Sequence, residues 1–407
     1  MKISLHQIRK FSLILLLVLI SGASGWWLAK NEEKLFLIRK NPSKEIKETF
    51  NNPRNLDFSL FWQVWDQLEK SYIDKKALDS QKMFLGAIKG MVEAVGDPYT
   101  FFLSPEENKE NKDDLSGEFE GIGVQLGYKD HQLAVIAPLK GTPAEKAGIK
   151  AGDLILKIGD QDASEVTLYQ AVKMIRGPKG TKIKLTLLRP SETEPYEVVI
   201  ERDKILVPSV ELEFVKKEGK EIAYLKLSRF GEKTEEEWQK AVDQIVNHQP
   251  RVEGLILDLR NNPGGYLTGS IFIASEFLKK GVIVQQESGK GVKETYSVNR
   301  KGRLTEIKMV VLVNEGSASA SEIVAGALKD YQRAKIIGEK TFGKGTIQEA
   351  QDFPDGSGLH VTTARWLLPS GNSIEKNGIT PDIIIEDDSD TPIDEPLEKA
   401  KEVVLKF

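Results

Sequence analysis

Residues 308–348 constrain the chain more than any other stretch, because they string a strand, a small-residue elbow, a helix and a second strand together with no slack between them. Residues 309–313 are apolar and mostly β-branched and read as a buried strand, and residues 322–328, rich in Ala and Leu, have helical character. Between them Gly316-Ser317-Ala318-Ser319-Ala320-Ser321 forms the elbow, where amides at the coming helix N-terminus favour developing negative charge. A second strand, 334–337, leads to Gly343-Lys344-Gly345, whose lysine is the only long side chain there. Each feature has an ordinary explanation. Ser319-x-x-Glu322 fits a capping box, and a loop lysine is usually solvated. Taken together, the elbow serine, its amide donors and the glycine-flanked lysine supply a nucleophile, an oxyanion site and a base.

Further apolar runs at 222–227 and 254–259, with an amphipathic helix around 238–246 between them, give a βαβ pattern and predict a largely parallel sheet. The second run continues into Asp258-Leu259-Arg260-Asn261-Asn262-Pro263-Gly264-Gly265. Adjacent glycines after a strand end bring a bare amide close to a bound carbonyl, so Gly264 and Gly265 are oxyanion candidates beside the Ala320 amide. A tight turn explains them equally well. Segments 358–368 and 378–385 complete this core, Asp387 to Pro392 is a solvated acidic stretch, and a short helix starts at Glu395.

The 407 residues allow two or three domains, and a net charge of −4 gives no sign of nucleic-acid binding. The absence of cysteine excludes disulfides, a Cys-ligated zinc and a cysteine nucleophile. Lys2, Arg9 and Lys10 precede the uncharged run 11–29, the pattern of a single-pass signal anchor or a cleaved signal peptide, with the remainder outside the cytoplasm. A retained anchor in the cell membrane is preferred, since Trp26 and Trp27 place aromatics at the far interface. Between 57 and 95, Leu60, Phe61, Val64, Trp65 and Leu68, then Phe84, Leu85, Ile88, Met91 and Val92, recur at helical spacing, and Gly96-Asp97-Pro98 ends the second helix.

Residues 115–203 resemble a PDZ domain. Glu120-Gly121-Ile122-Gly123-Val124 is similar to its carboxylate-binding loop, and Thr142-Pro143-Ala144-Glu145-Lys146-Ala147-Gly148-Ile149-x-x-Gly152-Asp153-Leu154-Ile155 is the more diagnostic stretch. Such a domain takes a chain end as an added strand, here against Gly121, Ile122, Gly123 and Val124, with residues 168–175 as the helix lining the groove. Arg176, in Arg176-Gly177-Pro178-x-Gly180-Thr181, reads by default as a surface salt-bridge partner.

The run Asn314 to Glu322, the later Gly338-Glu339-x-Thr341-Phe342-Gly343-Lys344-Gly345 and Gln348 resemble the carboxyl-terminal processing peptidases, or tail-specific proteases, and the likeness extends over nearly all of the chain after residue 30. The resemblance implies a multidomain α/β protein. It has a membrane segment (1–30), a linker and helical region (31–114), the PDZ domain (115–203), a crotonase-like α/β serine protease core (204–388) and a C-terminal tail helix (389–407). It implies Ser319 as nucleophile, Lys344 as general base, Gln348 positioning that base, no metal or organic cofactor, polypeptides with free C-termini as substrates, and a homodimer through the N-terminal helices. It also implies that Arg176 couples PDZ position to protease state. The chain departs from the family at His360, where relatives commonly carry another basic residue. A Ser-His-Asp hydrolase with His360 as base competes weakly, since no Gly-x-Ser-x-Gly elbow stands in the core. A PDZ scaffold on an inactive peptidase fold is the reading from another class.

Overall fold

A computed structural model describes residues 56–406 except 130, 131, 191, 290, 292 and 388–390, so the expected membrane segment lies outside the described residues. No helix among the described residues is long and apolar enough to cross a membrane. The chain divides into two units, 1–79 and 80–407.

In the first unit, helix α1 (Ser59–Ser71) carries the predicted apolar stripe but buries none of its residues. Its aromatic rings pack on one another, Phe61 against Trp62 with centroids 5.1 Å apart.

The second unit begins with α2 (Ser80–Glu93), the other predicted helix, and continues through a short strand β1 (Phe101–Leu103) into α3 (Pro105–Ser116). Sequence reading missed α3 because it has almost no apolar face. What starts it is a capping box, in which Ser104 and Glu107 bond each other's backbone, with Pro105 in the first turn. Buried Asn108 on α3 then donates to Asp352 Oδ1 and to the Gly356 carbonyl, at 2.8 and 3.0 Å.

Next come β2 (Glu118–Gly121), β3 (Val124–Lys129), β4 (Gln132–Pro138), the single-turn helix α4 (Pro143–Lys146), β5 (Leu154–Ile158), β6 (Gln161–Asp162), α5 (Leu168–Ile175), β7 (Lys182–Leu188), β8 (Tyr196–Glu201) and β9 (Asp203–Leu206). They form an antiparallel sheet in the order β3-β4-β5-β7-β8, with β6 on β5, while β2 pairs with β9 as a two-stranded strap. Ile122, Val135, Ile155, Ile158, Leu185 and Leu187 are its buried centre. Helix α5 spans the predicted residues, since Thr167 and Gln170 form a second capping box.

The remaining chain supplies β10 (Val210–Lys217), β11 (Lys220–Leu227), α6 (Thr234–Asn247), β12 (Gly254–Asp258), α7 (Leu267–Phe277), β13 (Val282–Ser288), β14 (Lys293–Ser297), β15 (Met309–Val313), α8 (Ala320–Asp330), β16 (Lys335–Gly338), β17 (Thr346–Asp352), β18 (Gly358–Leu367), β19 (Ile383–Ile384) and α9 (Glu395–Val404). One sheet runs β10-β11-β12-β15-β16-β19, parallel except for the β10–β11 pair. Both faces are covered, by Trp238, Ile273, Val324 and Leu328 on one side and by Ala400 and Val404 of α9 on the other. Every residue of β12 and β15 is therefore buried, which is why these strands read as unbroken apolar runs. Arg260 bonds both Asp258 and Asp394, fastening the start of α9 to the C-terminal end of β12.

A second sheet, β1-β18-β13-β14 with β17 on β18, is antiparallel. Within the segment 378–385 the strand formed is β19, because the preceding residues turn to fold over the Gly343-Lys344-Gly345 loop.

Candidate active site

Ser319 is the residue before α8, and its backbone is held at φ 53°, a region costly for a residue with a side chain. Two buried serines flank it and staple the elbow to the loop after β12. Ser317 Oγ donates to the Leu259 carbonyl at 2.8 Å, and Ser321 Oγ to the Asn262 carbonyl at 2.9 Å. The three serines of the run thus divide their work, with only the middle one turned to a cleft.

That cleft has a volume of about 740 Å³ and is lined by Ser319, Ala320, Lys344, Gln348, Gly264 and Gly265, with Leu267, Ile323, Ile347 and Trp366 as apolar wall. All six residues proposed from sequence for the nucleophile, base, orienting amide and oxyanion donors therefore meet in one place. A Cβ on Gly264 would lie 2.9 Å from Ser319 Cβ and 3.0 Å from the Ala320 nitrogen, so only glycine allows this approach. The two glycines are not equivalent. Gly264 N–H already donates to Asn262 Oδ1 at 2.9 Å, whereas Gly265 N–H takes no partner among the described residues. Both Gly265 and Ala320 line the cleft beside Ser319.

Glu322 holds the Ser319 and Lys344 loops together. Sequence reading made it a helix cap, and it does accept from Ser319 N–H at 2.8 Å. The same buried carboxylate also accepts from Lys344 N–H (3.0 Å), Gly343 N–H (2.7 Å) and Thr341 Oγ (2.6 Å). Burial pushes its carboxyl above the usual range, and these four donors oppose the shift. Only the local half of this clamp was legible, from the Ser319-x-x-Glu322 spacing.

Beyond Lys344, Gly345 N–H donates to Glu375 Oε2 at 2.8 Å, and a Cβ on Gly345 would meet the Glu375 backbone at 2.8 Å. Burial pushes the Lys344 ammonium below the ordinary lysine range, while Asp97, Glu322 and Glu375 favour its charged form. Phe342, two residues earlier, is 58% exposed. Tyr99 faces the amine instead, with its ring centroid 5.1 Å from Nζ.

Gln348 does not bond Lys344 here. Its Nε2 donates to Thr346 Oγ at 2.9 Å and to Thr362 Oγ at 3.2 Å. Nor is a Ser319 Oγ–Lys344 Nζ hydrogen bond formed among the described residues, an arrangement common before substrate arrives. His360 also lines the cleft, stacked on Phe101 with centroids 4.7 Å apart, and it has no hydrogen bond to Ser319 or to a carboxylate among the described residues. Burial and the nearby Lys344 push its pKa down. Among the described residues no group of three or more His, Cys, Asp or Glu side chains is placed to hold a metal ion.

A second groove of about 320 Å³ lies between β3 and α5, lined by Ile122, Gly123, Val124, Leu126, Val172 and Ile175. The carbonyls of Ile122 and Gly123 accept from Ala144 N–H and Leu139 N–H, so the trans peptides turn the Gly123 and Val124 amides to the opposite side. Strand β3 pairs only with β4 among the described residues, which leaves its other edge for an added strand. Arg176 sits at the end of this groove, 4.7 Å over the Phe119 ring and 3.4 Å from Asp114 Oδ1, and Asp114 itself borders the first cleft.

Comparison with known proteins gives the chain two family matches. Residues 221–385 match the model of peptidase family S41, and residues 110–188 match that of the PDZ domain. A probable CtpA-like serine protease of Staphylococcus epidermidis is 40% identical over 341 residues, covering 83% of this chain and 67% of that protein. The carboxy-terminal-processing protease of Bartonella bacilliformis is 40% identical over 343 residues, covering 83% and 77%. Among solved structures, the photosystem II D1 C-terminal processing protease is 30% identical, with a TM-score of 0.50 and coverage of 85% and 96%.

The Glu322 clamp generates a prediction. In Glu322→Gln the new amide group presents N–H bonds where backbone N–H groups already point, so donors face donors. Peptidase activity should fall at least about 100-fold, the scale of a misplaced catalytic group. The unsatisfied groups should cost about 1–3 kcal/mol in denaturant unfolding. A variant with unchanged activity and stability would show that the clamp is dispensable.

Proposed function

Because the chain belongs to the carboxy-terminal-processing proteases of peptidase family S41, it is a serine-type peptidase, and we propose that it cleaves polypeptides near their C-termini with a Ser319–Lys344 dyad. The observation that carries this reading is the single cleft in which Ser319 and Lys344 stand on two loops joined through the Glu322 carboxylate. Ser319 Oγ attacks the scissile carbonyl, and neutral Lys344 takes its proton. The Gly265 and Ala320 amides stabilise the oxyanion, and the proton passes from Lys344 to the leaving amine. Water then hydrolyses the acyl-enzyme by the same steps. Gln348 orients Lys344 in this scheme through its Oε1. Every group the reaction calls on belongs to this chain.

The β3–α5 groove captures the substrate's terminal carboxylate on the Gly121 to Val124 loop. Arg176, touching Phe119 in the groove and Asp114 at the catalytic cleft, is the candidate for coupling the two sites. The basic start and the uncharged run 11–29 favour a membrane-anchored enzyme acting outside the cytoplasm, and the exposed stripe of α1 suits a homodimer contact.

Three tests follow. Ser319→Ala should abolish cleavage of an unfolded protein substrate, and Lys344→Arg should be as inactive, because an arginine stays charged. Lys344 has its folded pKa lowered by burial, so the base is protonated at low pH and becomes competent as pH rises through a midpoint below the ordinary value of about 10.4. Wild-type activity should therefore climb along one limb in that window. Retained activity in Lys344→Arg would refute the dyad.

Peptides with amidated C-termini should bind more weakly than free acids, by roughly 1.5–3 kcal/mol for each charge-assisted hydrogen bond lost. Equal turnover of both at sub-saturating concentration would argue against carboxylate capture. For topology, a reporter fused after Asn55 should be active only outside the cytoplasm. A cytoplasmic signal would sink that placement.

A further inference from the structure

Arg229 follows β11 in the loop to α6 and lines the catalytic cleft. Backbone contacts fix its place there. The next residue, Phe230, donates its N–H to the Gly264 carbonyl and accepts from Tyr266 N–H, both at 2.8 Å, and it pairs with Gly265 as a parallel bridge. The Arg229 carbonyl itself accepts from Thr234 Oγ at 3.2 Å. Arg229 is thereby held beside the glycine loop that packs on Ser319.

The Arg229 guanidinium is half-buried and only partly used. Its Nη2 donates to the Val207 carbonyl, and Gly117 makes room for the fork, since a Cβ there would lie 3.1 Å from Nη2 and 3.4 Å from Nε. Nε and Nη1 donate to no acceptor among the described residues, and no carboxylate among those residues forms an ion pair with Arg229. Asp114 and Glu237 favour its charge from farther away, against burial, which pushes it below the ordinary arginine range. Both acids have other partners. Asp114 meets Arg176 at 3.4 Å, and one Glu237 oxygen accepts from Ser209 N–H, Ser209 Oγ and Val210 N–H.

The remaining charges along the cleft sharpen this picture. Lys344 acts as a base only when neutral, and burial with the nearby Lys344 pushes His360 toward its neutral form. Arg229 is therefore the fixed positive charge of the cleft wall, and Asp114, already paired, is the carboxylate on it. A half-buried guanidinium with free N–H bonds is matched in shape and charge by a carboxylate, which the planar fork binds through parallel hydrogen bonds.

We propose that Arg229 is a specificity-determining residue of the peptidase, which receives a carboxylate of the bound polypeptide and so favours chains with an acidic side chain next to the scissile bond. This deepens, and rests on, the Ser319–Lys344 reading. A terminal carboxylate has the same chemistry, but the chain end is assigned to the β3–α5 groove, which favours the side chain as the source.

The test measures kcat/KM for pairs of peptides identical except for Glu or Gln, scanned over the positions flanking the scissile bond, with wild type, Arg229→Gln and Arg229→Lys. Wild type should prefer Glu at one position by about 10-fold to 100-fold, the scale of a charge-assisted hydrogen bond. Arg229→Gln keeps a donor for Val207 without the charge and should lose that preference. Arg229→Lys, a charge without the fork, should retain only part of it. A ratio taken within one enzyme sample is independent of the fraction folded, so a destabilised variant still decides. If Arg229→Gln yields no folded protein, the partial loss in Arg229→Lys is the deciding measurement. Each peptide is also compared with its C-terminally amidated form. The effect of amidation should be the same in wild type and Arg229→Gln, whereas its disappearance in Arg229→Gln would support the Arg229 contact with the chain end as its source. A Glu preference that survives intact in Arg229→Gln would overturn the proposal. So would the absence of any Glu preference in wild type together with an amidation effect that Arg229→Gln leaves unchanged. Cleavage by Ser319→Ala would instead remove the dyad itself, a failure distinct from these.

Discussion

One buried carboxylate holds this peptidase site in register. Glu322 sits on the first turn of α8, and its two oxygens accept from donors on both sides of the cleft. Removing any donor would leave a desolvated acceptor, and removing the carboxylate would leave four desolvated donors. This asymmetry makes the contact effectively obligatory. The strained backbone of Ser319 persists because that network and the helix beneath it over-determine its position.

The surrounding fold can be understood as support for that contact. Strand β12 delivers the Gly264-Gly265 loop, β15 delivers the Ser319 elbow, and their parallel pairing sets the two loops side by side at the C-terminal ends of the strands. Loops at those ends are where open α/β sheets place their chemistry. The lysine arrives from a different direction, on the loop that enters β17 of the antiparallel sheet. The site therefore lies where two sheets of different construction meet. Its geometry depends on both, and so on α3, which is anchored by Asn108 to the β17–β18 hairpin and leads into the PDZ domain.

Burial has opposite effects on the two ionisable groups at the centre. It disfavours the charged form of each, raising Glu322 and lowering Lys344. For Lys344 that shift is useful, since a neutral amine can accept a proton. For Glu322 it is a cost, offset by four donors. Asp97 and Glu375 pull Lys344 back toward its charged state, so its basicity is a balance among groups that lie up to some 280 residues apart in the chain.

What the sequence determined by itself was whatever rests on local signals. The strand at 309–313 was legible as an apolar run and the elbow from its small residues, while α5 was placed by the likeness to a PDZ domain. Ser319 and Lys344 were singled out by the family motif, and both line one cleft. Tertiary structure decided the rest. The second sheet could not be read because β1 pairs with β18 across more than 250 residues, and no local pattern encodes such a partner. Helix α3 escaped notice because it lacks an apolar stripe, although Ser104-x-x-Glu107 marks its start. Asp97, an ordinary turn residue in sequence, comes to act on Lys344 only through tertiary contact. Hydrogen-bond polarity is set by which groups meet in space, and a one-dimensional pattern carries no record of those meetings.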